Sequence, residues 1–190
     1  MTVLATSGSH VLWITSRAAG IVALILTSAS VGVGLSMSGR LVKGRGPDLR
    51  VTHEALAIAA ISAIALHAVA LLGDGYFHPG IADLVIPFVS SYKQPYMALG
   101  IIAGWGFILL GLSFYLRQRI GIKRWRIMHR FTALAWVFGV IHTLGEGSDA
   151  GQTWFLVIAA IAVIPTLVLL IARLTRPRGR GVPVELASRA

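Results

Sequence analysis

The sequence predicts an all-α integral membrane protein with five transmembrane helices, and three observations carry that prediction. The 190 residues are 56% hydrophobic and only 13% charged, with mean hydropathy +0.78, which is too apolar for a soluble domain of this length. Five stretches approach the roughly 20 apolar residues that a helix needs to cross about 30 Å of hydrocarbon. Basic residues gather in alternate connections between those stretches.

The first span is expected over Ala18 to Ser38. The flank Met1 to His10 lacks a basic n-region and the apolar run is too long for a signal h-region, so the segment is retained as a span rather than a cleaved leader. The second covers Ala55 to Gly73 and the third Tyr96 to Leu116. The fourth covers Phe131 to Gly145, extended back through Trp125, and the fifth Gln152 to Ala172. Gly39 to Pro47 marks the first connection, and Pro79, Gly80, Pro87 and Pro95 punctuate a long one from Gly73 to Pro95. Within it, Ile81 to Val89 is too short to span and is expected in the outer interface as a half-buried helix, with Tyr76, Phe77, Tyr92 and Tyr96 at headgroup depth. The short link Glu146 to Gly151 makes the last two spans antiparallel neighbours. Residues 1–175 are expected to form the bundle, and 176–190 a basic tail.

Orientation follows from the cations. Arg40 to Arg50 carries four Lys/Arg, Arg117 to Arg130 six and Arg173 to Arg189 five, leaving Arg17 and Lys93 on the other side. The N-terminus is therefore expected outside and the C-terminus in the cytoplasm. Asp74, Asp83, Glu146 and Asp149 fall in the outer loops. The net charge of +10 is thus a topology signal that also suits anionic lipid, and no soluble basic stripe points to nucleic acid. Fourteen arginines against three lysines suggest a GC-rich bacterial genome, hence a bacterial plasma membrane.

Four of six histidines lie inside apolar spans as two pairs, His53 with His67 and His129 with His142, 14 and 13 residues apart. An ionisable side chain at membrane depth costs a few kcal/mol, so its presence is a functional signal. The second and fourth spans run parallel, so His53 meets His129 near the inner boundary and His67 meets His142 about 20 Å further out, at ~1.5 Å per residue. Two imidazoles per level match the axial ligand set of a six-coordinate haem iron, giving two stacked haems. Ala57, Ala60, Ala63, Ala70, Ala133 and Ala135 leave room for a flat macrocycle. Fourteen residues return to within ~40° of the starting face, whereas thirteen leave His142 ~140° from His129, so a bend or π-bulge at Gly139 is expected. With no cysteine, thiolate-held clusters, disulfides and covalently attached haem are excluded. The glycines of Gly32 to Gly46 join no strand to a helix and form no phosphate loop.

The two pairs, the order of spans and the stretches Leu66-His67-Ala68, Pro87-Phe88 with Leu99-Gly100, Trp125-Arg126-Ile127-Met128-His129-Arg130 and His142-Thr143-Leu144-Gly145 resemble the ferric reductase-like transmembrane domain, over roughly residues 10 to 175. This superfamily includes NADPH oxidases, ferric reductases and the haem subunit of the periplasmic methionine sulfoxide reductase. The resemblance implies bis-histidine b-type haem and transmembrane electron transfer, with His53 and His129 as inner and His67 and His142 as outer ligands. The chain lacks the extra first span and the flavin and NADPH domain of the large members. A separate flavin-containing reductase or a quinol is therefore expected as donor, and an external partner protein or small molecule as acceptor.

Other residues have two readings each. Arg50, Arg126 and Arg130 flank the inner histidines and either hold haem propionates or anchor the cytoplasmic boundary. Arg17, at the outer level, either meets a propionate or snorkels to headgroups. Trp136, midway between His129 and His142, either assists electron passage or packs. Glu54 is expected to pair with a cytoplasmic arginine, and His10 and His78 to face water outside the spans. The function expected is a dihaem cytochrome b moving electrons outward. Alternatives are a quinone-linked cytochrome anchor of a soluble oxidoreductase and a non-redox metal-ion transporter, the latter disfavoured by the lack of midplane carboxylate, Cys or Met near the histidines.

Overall fold

The computed structural model describes residues 2–39, 46–75 and 78–175, with side chains from residue 10 onward. The expectations for Arg40, Lys43 and Arg45, for Tyr76 and Phe77, and for the tail 176–190 lie outside the described residues. Among those described there is no strand. The helices are α1 (Thr2–Ser38), α2 (Gly46–Leu71), α3 (Ile81–Val85), α4 (Gln94–Leu112), α5 (Arg117–Ile120), α6 (Ile122–His129), α7 (Thr132–Glu146) and α8 (Thr153–Thr175). Five segments are long and apolar enough to cross a membrane: His10–Ser38, Gly46–Leu71, Gln94–Leu112, Ile122–Glu146 and Thr153–Thr175.

Local chemistry sets most boundaries. Pro47 stands in the first turn of α2, where its missing N–H is not needed, and Asp48 complements the positive helix end. Pro95 does the same for α4, after Lys93 at φ 34°. Ser113 to Leu116 ends the third span earlier than expected, because Phe114, Tyr115 and Leu116 bond back only three residues. Gly121, at φ 90°, makes the turn between α5 and α6 that a side chain would strain. Pro87 holds Ile86 in extended backbone, so only Ile81–Val85 of the expected interfacial segment is helical.

The first span starts eight residues earlier than expected and carries Arg17 and the exposed His10 within it. Arg17 does not end the span because Asp149 pairs with its charge in place. The expected distortion at Gly139 is also corrected. Gly139 lies inside continuous α7, and the fourth span breaks instead at Arg130 and Phe131, where Arg130, Phe131 and Ala133 bond back three residues.

α1 is the central helix. In the most apolar 18-residue stretch of its span 44% is buried, against 11% to 17% in the other four. It packs antiparallel along α2, parallel to α8 and across α7, while α4 packs on α7. Leu24 of α1 forms the core with Phe155 and Ala159 of α8, closed by Ile21, Val140 and Val163. Beside it Ser28, fully buried, accepts from Trp136 Nε1 at 3.0 Å, while its carbonyl accepts from Thr166 Oγ1 at 2.9 Å. One serine thus joins three helices with polar contacts that apolar packing alone cannot fix in register. Large apolar side chains face outward, Val69 66%, Leu109 63% and Ile161 71% exposed, as a lipid-facing surface requires.

Close backbone approach makes one glycine irreplaceable and another not. A Cβ on Gly106 would fall 2.8 Å from Ala135 Cβ, whereas one on Gly104 meets Ile64 at an ordinary 3.6 Å. Gly106→Ala is expected to destabilise the α4–α7 contact by about 1–3 kcal/mol through overpacking, and Gly104→Ala to be neutral or mildly stabilising. Thermal midpoints of the two variants in detergent check the order; equal midpoints would contradict it.

Candidate functional site

The structure brings the four span histidines together as the expected pairs. The ring centres of His53 and His129 are 6.0 Å apart with planes at 87°, and those of His67 and His142 are 6.5 Å apart with planes at 70°. Each pair joins α2 to the fourth span.

Every one of these rings is held by its Nδ1. His67 Nδ1–H donates to the carbonyl of Ser16 at 2.8 Å and His53 Nδ1–H to that of Ser30 at 2.9 Å, both on α1. On the other side His142 donates to the Tyr96 carbonyl at 2.9 Å and His129 to that of Leu110 at 3.3 Å, both on α4. A backbone carbonyl can only accept, so each imidazole is the Nδ1–H tautomer and Nε2 keeps its lone pair. No hydrogen bond among the described residues engages any of the four Nε2 atoms. This is how metal-binding histidines are prepared, with one nitrogen oriented from behind and the other left to ligate. Two imidazoles that place Nε2 about 2 Å on either side of a metal, each ring centre roughly 1 Å behind its nitrogen, have centres about 6 Å apart. Both pairs fit that spacing.

Sequence reasoning missed the seats of the rings. Gly20 lies against His67, Gly34 against His53 and Gly100 against His142; a Cβ on Gly100 would fall 2.4 Å from His142 Nδ1. The signal was present as Ser16-x3-Gly20 and Ser30-x3-Gly34, two copies 14 residues apart, the same interval as His53 to His67. Trp125 was also missed as a contact: its ring stacks on His129 at 5.0 Å and its Nε1 donates to Ser113 Oγ at 3.2 Å.

The two levels differ in space. Around His67 and His142 lies a cavity of about 510 Å³, lined among others by Gly20, Gly100, Gly104 and Trp105 and reaching Arg17, Glu146 and Asp149. That volume is within the roughly 300–1,000 Å³ of cofactor sites. The gap at His53 and His129 encloses only about 30 Å³, with Val31, Ile61 and Phe107 closing on it. Among the described residues no three His, Asp or Glu side chains converge on a metal-sized point. At the His67–His142 level, where the cavity has room, two imidazoles therefore suit a metal that arrives with in-plane donors of its own, as haem iron does, better than a bare ion; the His53–His129 level has the ligand spacing, but its gap of about 30 Å³ would have to widen to take a macrocycle.

The remaining candidates sit as follows. Arg17 forms a bidentate ion pair with Asp149, which is buried, and lies between the rings of Trp13 and Trp154 at 5.1 and 5.9 Å. It lines the outer cavity, and its guanidinium is engaged by Asp149. Arg50, Arg126 and Arg130 are exposed and do not line the inner gap. Trp136 turns away from both gaps into the α1–α7–α8 seam. Glu54 accepts from the Tyr115 hydroxyl at 2.8 Å, where an arginine partner had been expected; this hydroxyl is the nearer donor. Lys93 bridges the outer end of α7, donating to the Gly145 carbonyl at 3.0 Å with Glu146 at 3.5 Å.

Five membrane-length helices and two histidine pairs joining α2 to the fourth span define the class as a multi-span membrane protein with paired imidazoles inside its bundle. The family described as ferric reductase-like transmembrane component matches residues 19–140, and the chain belongs to that family. The match includes His53, His67 and His129 and stops two residues short of His142. No curated protein and no solved structure matches the chain.

The Arg17–Asp149 pair ties α1 to the α7–α8 turn over the outer cavity. Arg17→Ala leaves the Asp149 carboxylate, 8% exposed, without its partner and is expected to cost about 1–3 kcal/mol. A double-mutant cycle with Asp149→Ala, read from thermal unfolding in detergent, should recover part of that loss; strictly additive effects would show the pair to be uncoupled.

Proposed function

We propose that the chain is a dihaem cytochrome b that carries electrons across the membrane, from a cytoplasmic flavin-containing reductase or a quinol to an external acceptor. The observation that carries the reading is the paired geometry: two histidines per level, ring centres 6.0 and 6.5 Å apart, each with Nδ1 bonded to a neighbouring helix and Nε2 free. Haem, when bound, supplies the reversible one-electron ferric/ferrous couple; the protein supplies ligands, level spacing and an apolar surround. His53 with His129, and His67 with His142, would hold the two irons. Arg50, Arg126 and Arg130 are available at the inner boundary for propionates or lipid headgroups. Arg17 faces the outer site while paired to Asp149. The clustering of Lys/Arg in the sequence at 40–50, 117–130 and 173–189 supports a cytoplasmic inner level in a bacterial plasma membrane. Electrons then enter at the His53–His129 level and leave at the His67–His142 level.

A haemochrome assay on the purified protein is expected to give two b-type haems per chain. A ratio near zero would remove the cytochrome reading, and a ratio near one would restrict it to a single level. His67→Ala should lose the outer haem and keep the inner spectrum. Direction is read in oriented proteoliposomes, where an impermeant reductant on the inner face should reduce an impermeant acceptor trapped outside. His142→Ala should abolish that transfer while inner-level reduction persists. Unchanged transfer, with the outer haem confirmed absent, would sink the relay.

A further inference from the structure

We infer that α1, which contributes no ligand, carries two positioning residues, Ser16 and Ser30, each of which sets the donor strength of the α2 histidine at its own level. This rests on the dihaem reading and adds to it a means of setting the two potentials separately.

The two seats are copies of one device. α1 and α2 run antiparallel, so a 14-residue interval on one helix meets the same interval on the other. Ser16 and Gly20 thereby face His67, as Ser30 and Gly34 face His53. The glycines let each ring lie against the α1 backbone: an added Cβ would stand 3.1 Å from His67 Nδ1 at Gly20 and 3.2 Å from His53 Cε1 at Gly34. The serines then place a second acceptor beside Nδ1. Ser16 Oγ lies 3.1 Å from His67 Nδ1 and Ser30 Oγ lies 3.3 Å from His53 Nδ1, each in addition to the carbonyl of the same serine. His129 and His142 have a carbonyl alone.

Direction is fixed best at the outer level. Ser16 Oγ–H donates to the His67 carbonyl at 3.0 Å, so its hydrogen is committed and a lone pair remains for Nδ1–H. Ser30 has no such second bond and stands further from its ring, so its contribution is the smaller. Acceptors on Nδ1–H draw that proton away from the ring and make Nε2 a stronger donor, which favours the ferric state. Removing a hydroxyl should therefore raise the potential of one site and leave the other alone.

The test is a spectroelectrochemical titration of the haem-loaded protein in detergent, with the outer potential assigned by its absence in His67→Ala. Ser16→Ala is expected to raise the outer potential, by about threefold in the ferrous-to-ferric ratio at fixed ambient potential, or ~28 mV at 59 mV per decade. Ser30→Ala should raise only the inner potential, and by less. Ser36→Ala, whose hydroxyl bonds its own helix at the Gly32 carbonyl, should move neither. Loss of the outer haem alone in Ser16→Ala, restored by Ser16→Thr, supports the same inference, because threonine keeps the hydroxyl. Two retained haems with both potentials unmoved, equal shifts at both levels, or failure of threonine to restore would each overturn it. Absence of haem from the wild-type protein would instead overturn the dihaem reading beneath it.

Discussion

The constraint on which the bundle depends is the hydrogen bond from each half-buried imidazole to a backbone carbonyl of the next helix. A helix carbonyl already accepts from the N–H four residues on, so it takes the imidazole with its second lone pair. That bond forms only when the ring lies almost on the backbone of the neighbouring helix. Side chains must be absent at that point, which is the role of Gly20, Gly34 and Gly100. The same four bonds fix register: Ser16 with His67 and Ser30 with His53 on one side, Tyr96 with His142 and Leu110 with His129 on the other. A one-residue slip in either helix pair would turn an imidazole out to lipid, at a cost of a few kcal/mol for an unsatisfied polar group.

Register alone does not hold the two helix pairs against each other. Lipid tails are as apolar as leucine, so association relies on close packing and a few polar contacts. Those converge on α1. Ser28 receives Trp136 from α7 and Thr166 from α8 at one depth, between the two histidine levels. Arg17 and Asp149 fasten the same helices at the outer end. The halves of the site are thereby set relative to one another by groups that touch neither histidine pair. The outer connection has a looser construction, with His78, Phe88 and Lys93 at positive φ and the carbonyls of Val85 and Phe88 held by Trp105 and Gln94.

The spans and the pairing of histidines were legible because hydropathy and the alternation of basic loops are one-dimensional signals. Histidine stands out against them. The contacts of Arg17, Trp136 and Glu54 were not, since each partner is far along the chain: Asp149, Ser28 and Tyr115 become neighbours only once the helices pack. The serine and glycine seats are an intermediate case. Small residues are ordinary in membrane helices, so the repeat Ser16-x3-Gly20 and Ser30-x3-Gly34 carries information only when set beside the equal spacing of His53 and His67 on an antiparallel partner.

The unequal intervals, fourteen on α2 and thirteen on the fourth span, show how backbone and ligand geometry were reconciled. Thirteen residues of ideal helix fall ~140° short of four full turns, so bringing His142 back toward the face of His129 calls for overwinding. A π-bulge at Gly139 would have unwound the helix and moved the ring the wrong way. The three-residue bonds at Arg130, Phe131 and Ala133 overwind it in the required direction, by ~20° for each residue that passes from ~100° to ~120° of turn, and so supply ~60° of the ~140°. They also stand where the distortion is cheapest. Arg130 and Phe131 are exposed at the inner boundary, so carbonyls freed there can meet water or headgroups. The break thus follows His129 directly, and α7 runs uninterrupted from there to His142.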